Sequence, residues 1–183
     1  GLTLQRLVEN YLIYAELKLL GSKPDTTSAW LSKEDIATHH AIAFFSRYKA
    51  KKAKRDNDLN LQLVKSQIHF SAKSFQKIVI ELLDNAFKFS QPGQPVRVVS
   101  TVKDQHFMFH VIDQGCGMSE DQISRIGDFA HSEENWYDQQ GPGTGLILSR
   151  MLIELHGGKL SINSMVNQQT TVTVVLPNVV KME

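Results

Sequence analysis

Apolar side chains recur at helical spacing between residues 77 and 90, where the sequence reads KIVIELLDNAFKFS. This periodicity predicts an amphipathic helix with one buried face. Beside the apolar stripe, Glu81, Asp84, Asn85 and Lys88 fall on one side of the same helix, at spacings of three and four residues. Asn and Asp are unfavourable in mid-helix because their side chains compete with the backbone for hydrogen bonds. The polar row is therefore either an ordinary exposed face with a helical ion pair or a ligand site.

The chain before this helix is patterned differently. Residues 2–20 carry two neighbouring apolar stripes at heptad-like spacing and predict a helix with partners on two sides. Residues 21–30 are rich in turn-forming residues and predict a linker. A second helix is predicted from Ser32, where Ser-x-x-Asp resembles a capping box, to near Lys54. The segment NLQLVK then alternates as a strand does.

The chain after this helix is mostly strand. The runs PVRVVSTV and HFMFHVID predict a hairpin joined by KDQ. A glycine-rich stretch leads to an amphipathic helix, TGLILSRMLIELH, which ends at two glycines, and KLSIN and TTVTVVLP are two late strands. The predicted fold class is α+β: a two-layer α/β sandwich with a mixed, mainly antiparallel sheet, preceded by a projecting N-terminal helix.

Composition narrows the function classes. The 183 residues, 42% of them hydrophobic, suffice for one compact domain. A net charge of +1, from 20 basic and 19 acidic residues, favours neither nucleic acid nor an anionic membrane as a partner. The single cysteine, Cys116, excludes an internal disulfide framework and suits a reducing, cytoplasmic setting. The basic run RYKAKKAKRDND is interpreted as a solvated helix end, because it lacks interleaved aromatic residues.

Two glycine-rich motifs supply further candidate ligand contacts. In VIDQGCGM, Asp113 ends an apolar strand and is followed by Gly-x-Gly, whose backbone can approach a flat ligand closely. A carboxylate acceptor there favours an exocyclic amine, as on adenine, over the carbonyl of guanine, although a plain Asp-x-Gly turn is the simpler alternative. GPGTGL, residues 141–146, opens the following helix, whose N-terminal amides and dipole favour phosphate. It matches neither a Walker A loop nor a dinucleotide-binding fingerprint.

In order and content these motifs closely resemble the ATP-binding catalytic domain of bacterial sensor histidine kinases. That family belongs to a superfamily with gyrase-type, mismatch-repair and chaperone ATPases, which share the Bergerat fold. ELLDNAFKFS resembles the N box, DQGCGM the first glycine box and IGDFAH a divergent phenylalanine box. GPGTGLILSRMLIELHGGKLSI resembles the second glycine box with its helix and strand. The resemblance spans residues 58–177.

The resemblance implies a domain that binds Mg-ATP and transfers the γ-phosphoryl group to a histidine. Asn85 would bind magnesium, Lys88 phosphate and Asp113 the adenine amine, with Phe89 near the base. Glu81 occupies the family's acidic position and forms, with Asn85, the candidate catalytic pair. Residues 128–145 would form the ATP lid. The implied nucleotide contacts are Asn85, Lys88, Phe89, Asp113, Gly115, Gly117, Gly141, Gly143, Thr144, Gly145, Leu146 and Thr170.

The sequence departs from the family pattern in three places. Gln169 stands where relatives often have glycine before the threonine of the last strand, here Thr170, and Phe129 lacks its usual proline or arginine context. No His-Glu/Asp-x-x-Thr/Asn-Pro segment occurs in the 183 residues, so the phosphoacceptor would lie outside them. His39 and His40, which have no acid beside them, are interpreted as structural.

The resemblance also implies partners and a division of the chain. The partners would be ATP, a domain with the acceptor histidine, and the response regulator of a phosphorelay, with a homodimer in the full-length protein. Residues 1–22 would be the remnant of a dimerisation helix, residues 23–32 a linker and residues 33–183 the catalytic domain. Two alternatives stay open: a serine-directing anti-sigma kinase on the same fold, and a non-catalytic nucleotide-binding signalling adaptor.

Overall fold

The computed structural model describes residues 2–22, 28–129, 144–177 and 179–180. The helices are α1 (Leu2–Ser22), α2 (Thr38–Lys52), α3 (Ala72–Phe89), α4 (Glu120–Phe129) and α5 (Thr144–Leu155), with a 3-10 turn at Asp56–Asp58. The strands are β1 (Glu34–Ala37), β2 (Leu59–Gln62), β3 (Gln67–Phe70), β4 (Val96–Lys103), β5 (His106–Asp113), β6 (Lys159–Ser164), β7 (Thr170–Leu176) and β8 (Val179–Val180).

A five-stranded sheet in the order β2-β4-β5-β7-β6 forms one layer. β2 runs parallel to β4 and the other neighbours are antiparallel, so the predicted mixed, mainly antiparallel sheet is confirmed. Alternate residues of β5 and β7 are buried, as expected for strands with one face on a core. Helices α3 and α5 pack on each other and on this face. A smaller sheet, β1-β3-β8, extends the domain.

The predicted hairpin is formed by β4 and β5, which pair from Val96 with Asp113 to Lys103 with His106. Its two turn residues, Asp104 and Gln105, both have positive φ angles, of 50° and 61°. Two such residues in a two-residue loop match the twist of the flanking strands. The tight turn therefore fixes which residues of β4 and β5 pair, and it places Asp113 opposite Val96 at the end of β5.

The predicted helix from Ser32 to Lys54 is wrong at its start. Residues 34–37 form strand β1, which pairs antiparallel with β3, and the helix begins only at Thr38. The cause is tertiary: Ile36 is buried in the core, and the Thr38 hydroxyl lies 2.7 Å from that of Ser66. Strand β3 is itself an element that the sequence patterns did not predict.

The predicted N-terminal helix is present as α1 and packs against α5. Its inner side buries Tyr14, Leu17 and Leu20. Its outer side exposes Leu4, Val8, Leu12 and Leu19. The helix therefore packs on the domain with its inner side and faces solvent with its outer side. None of the helices in the described ranges is long and apolar enough to cross a membrane.

Candidate functional site

Helix α3 carries the polar row identified in the sequence. Ser71 caps its N-terminus, because the Ser71 hydroxyl accepts a hydrogen bond from the Ser74 amide, and the apolar face of the helix packs into the core. The polar row is graded in burial: Glu81 is 1% exposed, Asp84 and Asn85 are partly buried, and Lys88 is exposed. The row is therefore not an ordinary solvated face, because its first member lies inside the protein.

Two cations surround the buried carboxylate of Glu81. Lys77, one helical turn earlier, donates to Oε1 at 2.6 Å, and Arg6 of α1 donates to Oε2 at 2.5 Å. Lys77 also donates to the side-chain oxygen of Asn10, at 2.8 Å. Both carboxylate oxygens are thus occupied by charged donors, which compensates the charge that burial would otherwise penalise. In this conformation a role of Glu81 as a base would require Arg6 to leave.

Asp84 extends the same network toward α2. Lys49 lies 2.8 Å from one of its oxygens, and Arg6 lies 3.4 Å from the other. Arg6 therefore joins α1 to two acids of α3, whereas Lys49 joins α2 to the second acid. The next residue, Asn85, is partly exposed, and its side chain offers an uncharged oxygen as a ligand atom. The Asp84 carboxylate beside it is already paired with Lys49 and Arg6.

Asp113 is the last of the alternate β5 residues whose side chains face the core. It pairs with Thr170 across to β7, and both side chains are 6% exposed on the inner face of the sheet. Burial raises the pKa of the Asp113 carboxyl from 3.8 to about 6, against the opposing effects of a hydrogen bond from the Gly115 amide and the positive charge of Arg55. Two residues that the sequence assigned to the base-binding side are thus adjacent, although 57 positions separate them.

The Gly115–Gly117 turn is held between two parts of the domain. The Cys116 amide donates to the Phe89 carbonyl at 3.2 Å, and the Cys116 carbonyl accepts from the Asn167 amide at 2.7 Å. A Cβ atom on Gly115 would overlap the Phe89 carbonyl oxygen, and one on Gly117 would overlap that of Met165. The turn needs glycine because backbone approaches it on both sides.

Substituting Gly117 by Ala is expected to destabilise the fold more than the same change at Gly157. Both glycines have positive φ, 67° and 76°, so each substitution carries a left-handed penalty of about 1–2 kcal/mol. Only at Gly117 does the added methyl group also meet backbone, because nothing lies within 4 Å at Gly157. Urea denaturation of both variants measures the difference, and equal losses would show that the Met165 contact yields freely.

The first turn of α5 meets Glu81 and α1. Thr144, Gly145 and Leu146 are buried there, and a Cβ atom on Gly145 would overlap the Glu81 carboxylate. The Thr144 hydroxyl lies 3.4 Å from the Asn10 amide nitrogen. The helix N-terminus predicted for phosphate therefore lies beside the polar row of α3. Gly141, Gly143 and most of the predicted lid lie outside the described residues.

The structure thus gathers the described candidates around one region. Asn85, Lys88 and Phe89 lie in the last turns of α3. Asp113 ends β5 and pairs with Thr170, which begins β7, and the glycine turn connects this pair with the end of α3. Phe89 is partly exposed, with the Lys88 ammonium 5.2 Å from its ring centre. Four further residues contact or act on the candidates, although the sequence did not indicate them: Arg6, Asn10, Lys77 and Arg55. Of these, Lys77 had a local signal, since it stands four residues before Glu81.

An α+β sandwich with these groups at the ends of a helix and two strands defines a nucleotide-binding class of domain. Residues 71–180 match the family described as "Histidine kinase-, DNA gyrase B-, and HSP90-like ATPase". The match covers more than half of the chain, and the chain belongs to this family.

The curated proteins to which the chain is similar include sensor histidine kinases of that family. An uncharacterized sensor-like histidine kinase of Rhizobium meliloti is 34% identical over 114 residues, which are 61% of this chain and 22% of that protein. Sporulation kinase B of Bacillus subtilis is 28% identical over 174 residues, 94% of this chain and 38% of that protein. The chain therefore spans well under half of either relative.

Solved structures agree on the fold. The mycobacterial sensor histidine kinase MprB matches with a TM-score of 0.66 at 21% identity, over 80% of this chain and 97% of that one. Full-length ShkA in complex with AMPPNP matches with a TM-score of 0.77 at 19% identity, over 98% of this chain and 37% of that one. These structures confirm the predicted fold class, and the match of residues 71–180 confirms the predicted superfamily.

Proposed function

We propose that this chain binds Mg-ATP and donates its γ-phosphoryl group to a histidine that lies outside these 183 residues. The observation that supports it most is the pairing of Asp113 with Thr170, both buried, beside a turn that only glycine fits. A buried carboxylate next to accessible backbone is suited to the exocyclic amine and flat ring of adenine. A base with a carbonyl at that position would be repelled.

The phosphate end of the site would lie between α3 and α5. Asn85 would bind magnesium, since a neutral amide oxygen is a hard donor and this ion usually takes few protein ligands, with phosphates and water completing its shell. Lys88 would bind phosphate, together with the α5 N-terminus at Thr144, Gly145 and Leu146. Gly141 and Gly143 would contribute from the lid. The ion would neutralise phosphate charge, whereas the protein would supply alignment.

We assign the remaining partners on the same basis. The relatives are named as sensor or sporulation kinases, which supports an acceptor-histidine domain and a downstream response regulator as partners. The outer apolar side of α1 supports a homodimer in a longer protein, with residues 1–22 as part of a dimerisation helix, residues 23–32 as a linker and residues 33–183 as the catalytic domain. A cytoplasmic setting, where ATP is available, goes with this proposal.

Calorimetric titration with ATP and GTP, each with and without magnesium, tests the nucleotide assignment. ATP is expected to bind more tightly than GTP and more tightly with magnesium than without it. Equal affinity for both nucleotides would contradict the role of Asp113. Transfer is tested separately, by incubating the chain with radiolabelled ATP and an acceptor-histidine domain from a relative. Label that survives acid would indicate phosphoserine and favour the anti-sigma alternative.

Asn85→Ala is expected to weaken ATP binding about ten- to hundredfold when magnesium is present, because a bond to a charged partner contributes about 1.5–3 kcal/mol. Without magnesium the variant and the parent chain should bind ATP about equally. Gln76→Ala, on an exposed position of the same helix, is the matched control and should change neither value. Equal losses with and without the metal would show that Asn85 supports the pocket and not the ion.

A further inference from the structure

Arg55 is a buried arginine to which the proposed function gives no role. Its side chain is 4% exposed, although it ends the basic run that the sequence suggested was solvated. Nε donates to Asp58 at 2.6 Å, Nη1 donates to the carbonyls of Phe87 and Ser90, both at 3.0 Å, and Nη2 donates to the Gln94 carbonyl at 2.8 Å. All three guanidinium nitrogens are therefore used as donors, each toward a different part of the chain.

These bonds lie at the C-terminal end of α3, the helix that carries Asn85 and Lys88. The last carbonyls of a helix lack intrahelical donors and carry the negative end of its dipole, so a buried cation there is stabilising. The guanidinium carbon also lies 5.2 Å from the centre of the Phe87 ring. A lysine could not make the same set of bonds, because its donors radiate from one atom, whereas those of arginine form a planar fork.

The helix end held by Arg55 is also the support of the glycine turn. Phe89 stands between the two carbonyls that Arg55 binds, and its own carbonyl accepts from the Cys116 amide at 3.2 Å. The adjoining Gly115 amide donates to the Asp113 carboxylate at 2.9 Å. A displacement of the helix end would therefore reach Asp113 through two consecutive hydrogen bonds.

We propose that Arg55 is a positioning residue for the base-binding side of the nucleotide site, holding the end of α3 where it seats the Gly115–Gly117 turn against Asp113. This inference rests on the proposed function. Asp58 holds the guanidinium in turn: it accepts from Arg55 and from the Gly93 amide, and the hydrogen bond from Arg55 lowers the pKa of the Asp58 carboxyl.

Arg55 also acts on Asp113 through its charge. Its positive field lowers the pKa of the Asp113 carboxyl, against the larger effect of burial. The residues that face Asp113 from the neighbouring strands, Val96 on β4 and Thr170 on β7, do not titrate. Among the charged side chains of the described residues, that of Arg55 contributes to lowering the Asp113 pKa. Arg55 thus acts on Asp113 in two ways, by holding the end of α3 and by its charge. Two variants can distinguish the two effects.

The test compares Arg55→Gln, which removes charge and fork, with Arg55→Lys, which keeps the charge. ATP affinity is measured by calorimetry across the range from about pH 5 to 8, around the Asp113 pKa of about 6. Arg55→Gln is expected to lower affinity about tenfold, as for a lost bond to a charged group, and to move the midpoint of its pH dependence upward. Arg55→Lys should lower affinity but leave the midpoint near that of the parent chain. Lys52→Gln, an exposed base of α2, is the control.

A second measurement needs no nucleotide and so separates this inference from the proposed function. Carboxyl carbon NMR follows the titration of Asp113, and amide exchange follows Cys116. In Arg55→Gln, the Asp113 titration should move upward and the Cys116 amide should exchange faster. If both stay unchanged in a folded variant, the inference is overturned, whatever ATP does. If Arg55→Gln does not fold, Asp58→Asn provides the same two readouts: the Cys116 amide should exchange faster, by less than in Arg55→Gln, and the Asp113 titration should move downward, because the charge of Arg55 loses its neutralising partner. Unchanged exchange and titration in this variant would overturn the inference.

Discussion

Asp113→Asn is expected to remove most of the preference for ATP over GTP and to weaken ATP binding about ten- to hundredfold. The carboxylate would accept from the adenine amine, and a bond to a charged acceptor contributes about 1.5–3 kcal/mol. An amide at that position presents an oxygen or a nitrogen, so it discriminates poorly between an amine and a carbonyl. Calorimetric titration with both nucleotides at about pH 7 measures the change. Asp56→Asn, at an exposed position, is the matched control.

The same substitution should not weaken the fold. Because the folded-state pKa of Asp113 is raised to about 6, above 3.8, the folded chain holds this proton more tightly than the unfolded chain does. Asp113 therefore costs stability as pH rises from about 4 to 6, and the cost is complete above that range. Asn carries no such cost, so the variant should be about 1–2 kcal/mol more stable near neutral pH, after the weaker bond from Gly115 is deducted.

The pH dependence of binding should follow from the same group. ATP affinity of the parent chain is expected to fall as pH drops through about 6, because protonated Asp113 is a poorer acceptor. Asp113→Asn should show a flat profile over that range. A parent profile that is equally flat would contradict the assignment of Asp113 to the adenine amine, whereas an unfolded variant would contradict the expected gain in stability.

Glu81→Ala is expected to lower the free energy of unfolding by about 2–3 kcal/mol and to detach α1. Breaking a buried ion pair usually costs about 3–5 kcal/mol. The cost is reduced here because the side chains of Lys77 and Arg6, 17% and 38% exposed, retain some contact with water. For a chain of this length each kcal/mol lowers the melting temperature by about 2–4 °C. Thermal melting and hydrogen exchange along α1 measure the two effects.

Substitutions of the residues around Glu81 are expected to lower the free energy of unfolding by different amounts. Arg6→Ala should cost less than Glu81→Ala, because Arg6 is the more exposed partner and Glu81 keeps Lys77. Both should speed hydrogen exchange in α1. Glu9→Ala, which removes an exposed acid of α1 bonded to Gln5, should change neither measurement. If Arg6→Ala proves the more costly change, Arg6 does more than compensate the charge of Glu81.

The local patterns of the sequence predicted the hairpin, α3, α5 and the late strands because each is defined by periodicity and its own turn residues. Strand β1 was missed because its four residues are held by β3, some thirty positions later. A capping-box pattern at Ser32 describes only the local preference, and burial of Ile36 overrides it. Tertiary pairing of short strands has no counterpart in local periodicity.

The candidate site was also only partly predictable from local sequence patterns. Asp113 and Thr170 were indicated by motifs, and their adjacency follows from strand register, which the motifs do not contain. The burial of Glu81 depends on Arg6, 75 positions earlier, and the sequence left open whether its polar row was exposed or a ligand site. The burial of Arg55 depends on carbonyls of α3, and its basic run was interpreted as solvated. The roles that the resemblance implies for Asn85, Lys88 and the lid glycines stay predictions.

The β6–β7 connection carries no recognised motif, yet its length is restricted. Two of its residues contact the glycine turn: the Met165 carbonyl packs against Gly117, and the Asn167 amide donates to the Cys116 carbonyl at 2.7 Å. Surface connections between strands usually tolerate insertions. Here an inserted residue would shift both contacts at once, so among related chains this exposed loop should vary in side chain and be constant in length.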